Sequence, residues 1–164
     1  MNEMAERIQS RFPEGFIGAK EFAGDIIVNI RKGQVLDILR FLNQDPDLDF
    51  DMMTEIITVD YPEDNERFEV VYQIYSTRKM HRIRVKARVK EDDSSIDSVT
   101  GIWKGADFME REAFDMMGIR FNNHPDLRRI LMPEDYDEGY PLRKDFPIKG
   151  KGWRHTYDFI PKMG

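Results

Sequence analysis

Two neighbouring segments alternate strictly between apolar and polar residues. Phe68, Val70, Tyr72 and Ile74 occupy every second position of the first. In the second, Arg82, Arg84, Lys86, Arg88 and Lys90 interleave with Ile83, Val85, Ala87 and Val89. A period of two belongs to a strand, so 66–76 and 80–90 are predicted strands, with Thr77-Arg78-Lys79 as the turn. Pairing about Thr77-Arg78 sets Tyr72 against Ile83, Val70 against Val85 and Phe68 against Ala87 on one face. Gln73 against Arg82 and Glu69 against Lys86 share the other. A sheet that is apolar on one face and charged on the other must take its helices on the apolar face alone. The basic row reads as the solvated face, answered by cross-strand acids such as Glu69.

The preceding residues supply what that sheet needs. Met4, Ile8 and Phe12 recur every fourth residue before Pro13 and predict a short amphipathic helix. Strands are predicted at 16–21 and 25–31 around Ala23-Gly24. Val35, Ile38, Leu39 and Leu42 mark a second helix that ends near Asp45-Pro46. A further strand at 51–61 turns at Pro62-Glu63-Asp64-Asn65. The expected fold is α+β: a two-layer α/β sandwich with a mixed sheet of about five strands at 1–92, a helical segment at 93–118 and an extended C-terminal arm at 119–164. In the helical segment Ser94 or Ser95 would be the N-cap, and Gly118 falls at the C′ position. At 100° per residue, Ile102, Ala106, Met109, Ala113, Met116 and Met117 form one arc, flanked by Trp103, Phe108 and Phe114. Only Asp107, Arg111 and Asp115 make a polar stripe. Glu110 and Glu112 stand at the edges of the arc and need partners, because an unpaired buried carboxylate is costly.

Beyond Ile119 the periodicity fails. Five of the eight prolines and seven of the nineteen aromatics lie in 119–164. Prolines oppose a helix, while Phe121, Tyr136, Tyr140, Phe146, Trp153, Tyr157 and Phe159 are too many apolar anchors for a solvated linker. This arm is expected to be ordered on another subunit.

Composition removes several function classes. The net charge of −6 divides unevenly, with 16 Lys+Arg against 24 Asp+Glu in 1–118 and 9 against 7 thereafter. No clustered basic excess invites nucleic acid. With no cysteine, disulfides, thiolate nucleophiles and cysteine-ligated iron–sulfur clusters are excluded. The start, MNEMAERIQSRF, lacks a hydrophobic leader core, and no apolar run reaches the ~18 residues of a span, so contact with a membrane is expected only through partners. His81, His124 and His155 stand outside any HExxH or paired-histidine spacing, which leaves metal binding without support. Glu110, Glu112 and Asp115 could form an acid/base pair for hydrolysis, but Arg111 lies four residues from both Asp107 and Asp115, the spacing for local ion pairing. Gly139, Gly150 and Gly152 form no phosphate-binding loop.

The run Glu110-Arg111-Glu112, Asp115-Met116-Met117, His124, Arg128 and Ile130-Leu131, followed by PLRKDFP at 141–147, resembles the signature of a family. That family is the 30 kDa subunit of the proton-translocating NADH:quinone oxidoreductase, respiratory complex I. The resemblance is strong over 103–150 and weak over 1–102; Tyr140 stands where the family often carries His. It implies a cofactor-free subunit of the peripheral arm on the cytoplasmic side of the inner membrane, with FMN and iron–sulfur clusters on other subunits. Implied partners are the 49 kDa subunit of the complex and neighbouring cluster-bearing subunits. With that reading, Glu110, Arg111, Glu112, Asp115, His124, Arg128, Arg129, Pro141, Arg143, Lys144 and Asp145 are expected to form a charged clasp and partner interface with no catalytic residue among them. The alternatives are the equivalent subunit of a membrane-bound hydrogenase or formate hydrogenlyase, and a freestanding carboxylate- or metal-dependent hydrolase.

Overall fold

The computed structural model describes residues 3–148 and 150–151. Its elements are, in order, α1 (Glu3–Arg11), β1 (Phe16–Phe22), β2 (Asp25–Ile30), a 3-10 turn (Lys32–Gln34), α2 (Val35–Gln44), β3 (Met52–Asp60), β4 (Phe68–Ser76), β5 (His81–Val89), β6 (Ser95–Asp97), α3 (Ala106–Met117) and β7 (Arg120–Asn122). Five strands form one mixed sheet in the order β1-β2-β5-β4-β3, parallel only between β2 and β5.

One face of that sheet is apolar across its centre. Ile26, Val28 and Ile30 of β2 oppose Ile83, Val85 and Ala87 of β5, and Phe68, Val70, Tyr72 and Ile74 continue the face on β4. Ala5 and Ile8 of α1 and Val35, Ile38, Leu39 and Leu42 of α2 close over it as a single core. Burying a side chain of this size stabilises the fold by about 1.5–3 kcal/mol. On the opposite face the basic row is answered within the sheet itself. Arg82 and Arg84 both meet Asp25, Lys86 and Arg88 share Glu69 at 2.8 and 3.2 Å, and Arg88 stacks 4.0 Å over Tyr61.

The β4–β5 hairpin differs from the predicted register by two residues. Tyr72 opposes Val85 and Phe68 opposes Val89, because the connection is the four-residue stretch Thr77–Met80, closed by the Met80 amide on the Ser76 carbonyl at 2.9 Å. Met80 takes a left-handed conformation with φ 55°, a less usual choice for a non-glycine residue. A shift of two leaves every side chain on its predicted face.

The predicted helical segment from 93 is also corrected. Ser95–Asp97 is a strand pairing in parallel with β7, and helix begins only at Ala106, with Gly105 as N-cap in place of Ser94 or Ser95. Val99 and Thr100 are β-branched and precede Gly101, so the stretch lacks helix formers. Ile96 and Val99 are buried in the core, and the Trp103 indole N–H donates to the Phe50 carbonyl at 3.2 Å. Ile102 and Trp103 therefore reach the core from turns, not from a helix face.

Candidate functional site

The polar stripe of α3 is covered, not solvated. Residues 128–132 run along it, and both Arg111 and Asp115 are buried. Asp115 explains why the segment stays there. One carboxylate oxygen accepts three successive amides, Ile130, Leu131 and Met132, at 3.0, 2.7 and 2.8 Å. The other takes the Arg129 guanidinium at 2.6 Å. Burial pushes the Asp115 pKa up, but the Met132 amide, Arg129 and the two further amides outweigh it and hold the carboxyl below its ordinary range. Arg111 makes neither of the local ion pairs its spacing suggested. Its N–H groups donate to the carbonyls of Arg128 and Arg129 at 3.3 and 3.2 Å, satisfying backbone that would otherwise be covered without a partner.

The PLRKDFP segment is seated at the C-terminal end of the same helix. A helix end leaves its last carbonyls unpaired. Here the Leu142 amide takes the Met116 carbonyl at 3.1 Å and the Arg143 Nε–H takes that of Met117 at 2.8 Å. Gly118 caps the helix at φ 79°, and a Cβ there would fall 2.5 Å from the Tyr140 ring and 2.7 Å from Arg143. The Arg143 guanidinium lies over Tyr140 at 4.5 Å and Phe68 at 4.8 Å, so the ring at position 140 supplies a cation–π face. Its acid is the half-exposed Glu91, 3.5 Å away.

A second buried pair holds the far side of this segment. Arg67 grips Asp60 with two hydrogen bonds of 2.8 and 2.9 Å and reaches Asp145 at 3.0 Å and Glu91 at 2.8 Å. Asp60 also accepts the Lys144 amide at 2.8 Å. The Arg67 bond and that amide lower the Asp60 pKa against its burial. Asp60, Arg67 and Glu91 were missed from sequence. The available signal was an acid and a base bracketing the Pro62–Asn65 turn.

The remaining predicted residues divide. Glu110 and the His124 side chain are fully buried. Glu110 accepts the Val99 amide at 2.7 Å, and the His124 ring bonds to the Asp126 amide and the Asp107 carbonyl at 3.0 and 3.3 Å. Among the described residues, Arg128 pairs with exposed Asp126, at 2.8 Å. Arg129 lies 5.1 Å from the Tyr136 ring, and Pro141 is half-buried at the head of its segment. Glu112 is exposed on α3, and among the described residues its carboxylate has no partner; the Lys144 side chain also faces outward. Asp115, Arg129, Arg143 and Asp145 thus meet groups of this chain's own domain. Up to residue 148, the contacts that set the path of the arm are made to this chain's own domain. Trp153, Tyr157, Phe159 and His155 lie outside the described residues. Among the described residues, no group of three or more His, Asp or Glu side chains is arranged to hold a metal ion.

Fold and site together define a two-layer α+β module with a proline-rich strap locked onto its third helix by buried carboxylates. Residues 28–152 match the family described as "Respiratory-chain NADH dehydrogenase, 30 Kd subunit", and the chain belongs to that family. A curated relative from Roseiflexus sp. (strain RS-1), named as a subunit of NADH-quinone oxidoreductase, is 44% identical over 93% of this chain and 87% of its own length. The protein of the same name from Geobacter sulfurreducens is 43% identical over 91% of each. Among solved structures, a trypsin-resistant fragment of Nqo5 superposes with a TM-score of 0.66 at 27% identity, over 76% of this chain and 99% of that one. A chain of the membrane-bound sulfane sulfur reductase, an archaeal respiratory membrane complex, shares the fold at 23% identity, with a TM-score of 0.75 over 89% of this chain and 85% of that one.

Proposed function

We propose that this chain works as a cofactor-free scaffold of the peripheral arm of complex I, contributing no group to the redox chemistry. Electrons would pass from NADH through FMN and iron–sulfur clusters on other subunits to quinone. The chain would hold those subunits in register, since the chemistry belongs to the cofactors and the protein sets their distances. The observation that carries this reading is the division of charge around the strap. Arg67, Arg129 and Asp115 are consumed internally and lock its path. Phe108, Leu131 and Leu142, 62, 59 and 59% exposed, face outward, as do Glu112 and Lys144, whose charges meet no partner among the described residues. Large apolar side chains together with uncompensated charge are the makings of a subunit interface.

The 49 kDa subunit and neighbouring cluster-bearing subunits are the proposed partners, and the proposed place is the cytoplasmic side of the inner membrane, reached through them. No helix among the described residues is long and apolar enough to cross a membrane. The high identity to NADH-quinone oxidoreductase relatives favours this reading over the equivalent hydrogenase or formate hydrogenlyase subunit. Purified and co-expressed chains test it. The purified chain is expected to bind neither iron nor NADH, by elemental analysis and calorimetry, and to co-purify with the 49 kDa subunit. Stoichiometric iron, or nucleotide binding, would overturn it.

A further inference from the structure

Beneath α3, away from the strap, lies a group of polar atoms the clasp does not use. Glu110 accepts the Val99 amide with Oε1, but its Oε2, the Asp107 Oδ1 and the Tyr72 hydroxyl are buried and meet no hydrogen-bond partner among the described residues. His124 stands between the two carboxylates. Its Nδ1 accepts the Asp126 amide at 3.0 Å, so the neutral ring carries its proton on Nε2. Nε2 lies 3.3 Å from the Asp107 carbonyl, 3.6 Å from Asp107 Oδ1 and 3.9 Å from Glu110 Oε2. A doubly protonated ring would lose the Asp126 amide bond.

Among the described residues, no lysine or arginine pairs with Glu110. Its own helix presents Asp107, the turn after β6 presents the Ser98 hydroxyl and the Val99 amide, the residues after β7 present the His124 ring, and β4 presents Tyr72, which also feels Asp97 of β6. The nearest basic side chain on the helix, Arg111, donates to the Arg128 and Arg129 carbonyls. A charged Glu110 would be a buried carboxylate beside a second acid, with only the Val99 amide and the Ser98 hydroxyl to stabilise it, the arrangement in which a group takes up a proton instead.

We propose that the space between α3, β4 and the turn after β7 is a proton-binding site, in which Glu110 takes up one proton as the chain folds. A proton on Oε2 removes the charge that burial and the neighbouring Asp107 carboxylate disfavour. Burial raises the Glu110 pKa from 4.5 to about 7, with Asp107 adding to the rise and Ser98 and Val99 opposing it. Because the folded value lies above the unfolded one, this stabilisation is complete below pH 4.5 and disappears as pH rises through about 7.

Carbon-13 carboxyl NMR on the full chain, with labelled glutamate, tests the site. One glutamate signal is expected to titrate near neutrality, to vanish in Glu110→Gln and to titrate lower in Asp107→Asn. Between pH 4 and 8 the folding equilibrium of the wild type should fall, relative to Glu110→Gln, on the order of 100-fold. A Glu110 signal titrating in the ordinary carboxylate range, or parallel stability profiles for wild type and Glu110→Gln, would overturn the proposal. So would an Asp107→Asn chain that folds with the neutral signal unmoved.

Discussion

Asp115 and Glu110 belong to one helix but to different sides of it, and their surroundings drive their pKa values in opposite directions. Three amides and a guanidinium converge on Asp115, whereas Glu110 receives one amide and faces another acid. Asp115→Ala should cost about 3 kcal/mol in urea unfolding, since it strands Arg129 and three strap amides together. The pH windows also separate. With its folded pKa held below the ordinary 3.8, Asp115 stabilises the chain above that value and loses its effect as pH falls through the folded pKa. Asp115→Asn should accordingly flatten the acid limb of the stability profile and leave the neutral limb to Glu110. Gly118 is constrained twice, by its left-handed φ and by the Tyr140 ring against it. Gly118→Ala should lower stability by about 1–3 kcal/mol in thermal unfolding, and a residue free to adopt the angle elsewhere would not.

At the scale of elements, face assignment was legible and register was not. Alternation fixes which residues of β4 and β5 face the core, but the length of the turn sets which residue meets which, and nothing in Thr77–Met80 announces Met80 as left-handed. The helical arc likewise identified the apolar positions 106–117 correctly. It ran too far upstream because Ile102 and Trp103 are core residues whatever backbone carries them. The strap was harder to read. Its prolines correctly excluded helix, but its anchor points depend on Asp60 and Arg67, which lie in a different part of the chain and carry no periodic signal. The Asp60–Arg67 pair makes a direct prediction. Arg67→Ala should release the strap while α1, α2 and the sheet persist, so limited proteolysis with trypsin should cleave after Arg143 or Lys144 faster than in the wild type, with far-ultraviolet circular dichroism largely unchanged.

For the molecule as a whole, the family was legible because the Glu110–Leu131 run and PLRKDFP are the residues that build the strap and its seat. Buried charges and capped carbonyls tolerate few substitutes, so the motif is a record of this geometry. What the sequence left open was which surface the charges close on. Since the described strap closes on its own domain, hydrogen exchange on the isolated chain should find the amides of Ile130, Leu131, Met132, Leu142 and Lys144 protected without any partner, each being hydrogen-bonded in the fold. Rapid exchange at all of them would return the ordering of the strap to another subunit. The scaffold role itself is tested most directly by Arg143→Ala in the assembled enzyme. Native gels would give the amount of complex, and NADH:quinone activity would be normalised to it. The expected result is a marked loss of assembled complex, with turnover per assembled complex near that of the wild type. Full assembly with activity abolished would contradict the account, because the residue would then act on electron or quinone chemistry and not on the seating of the strap.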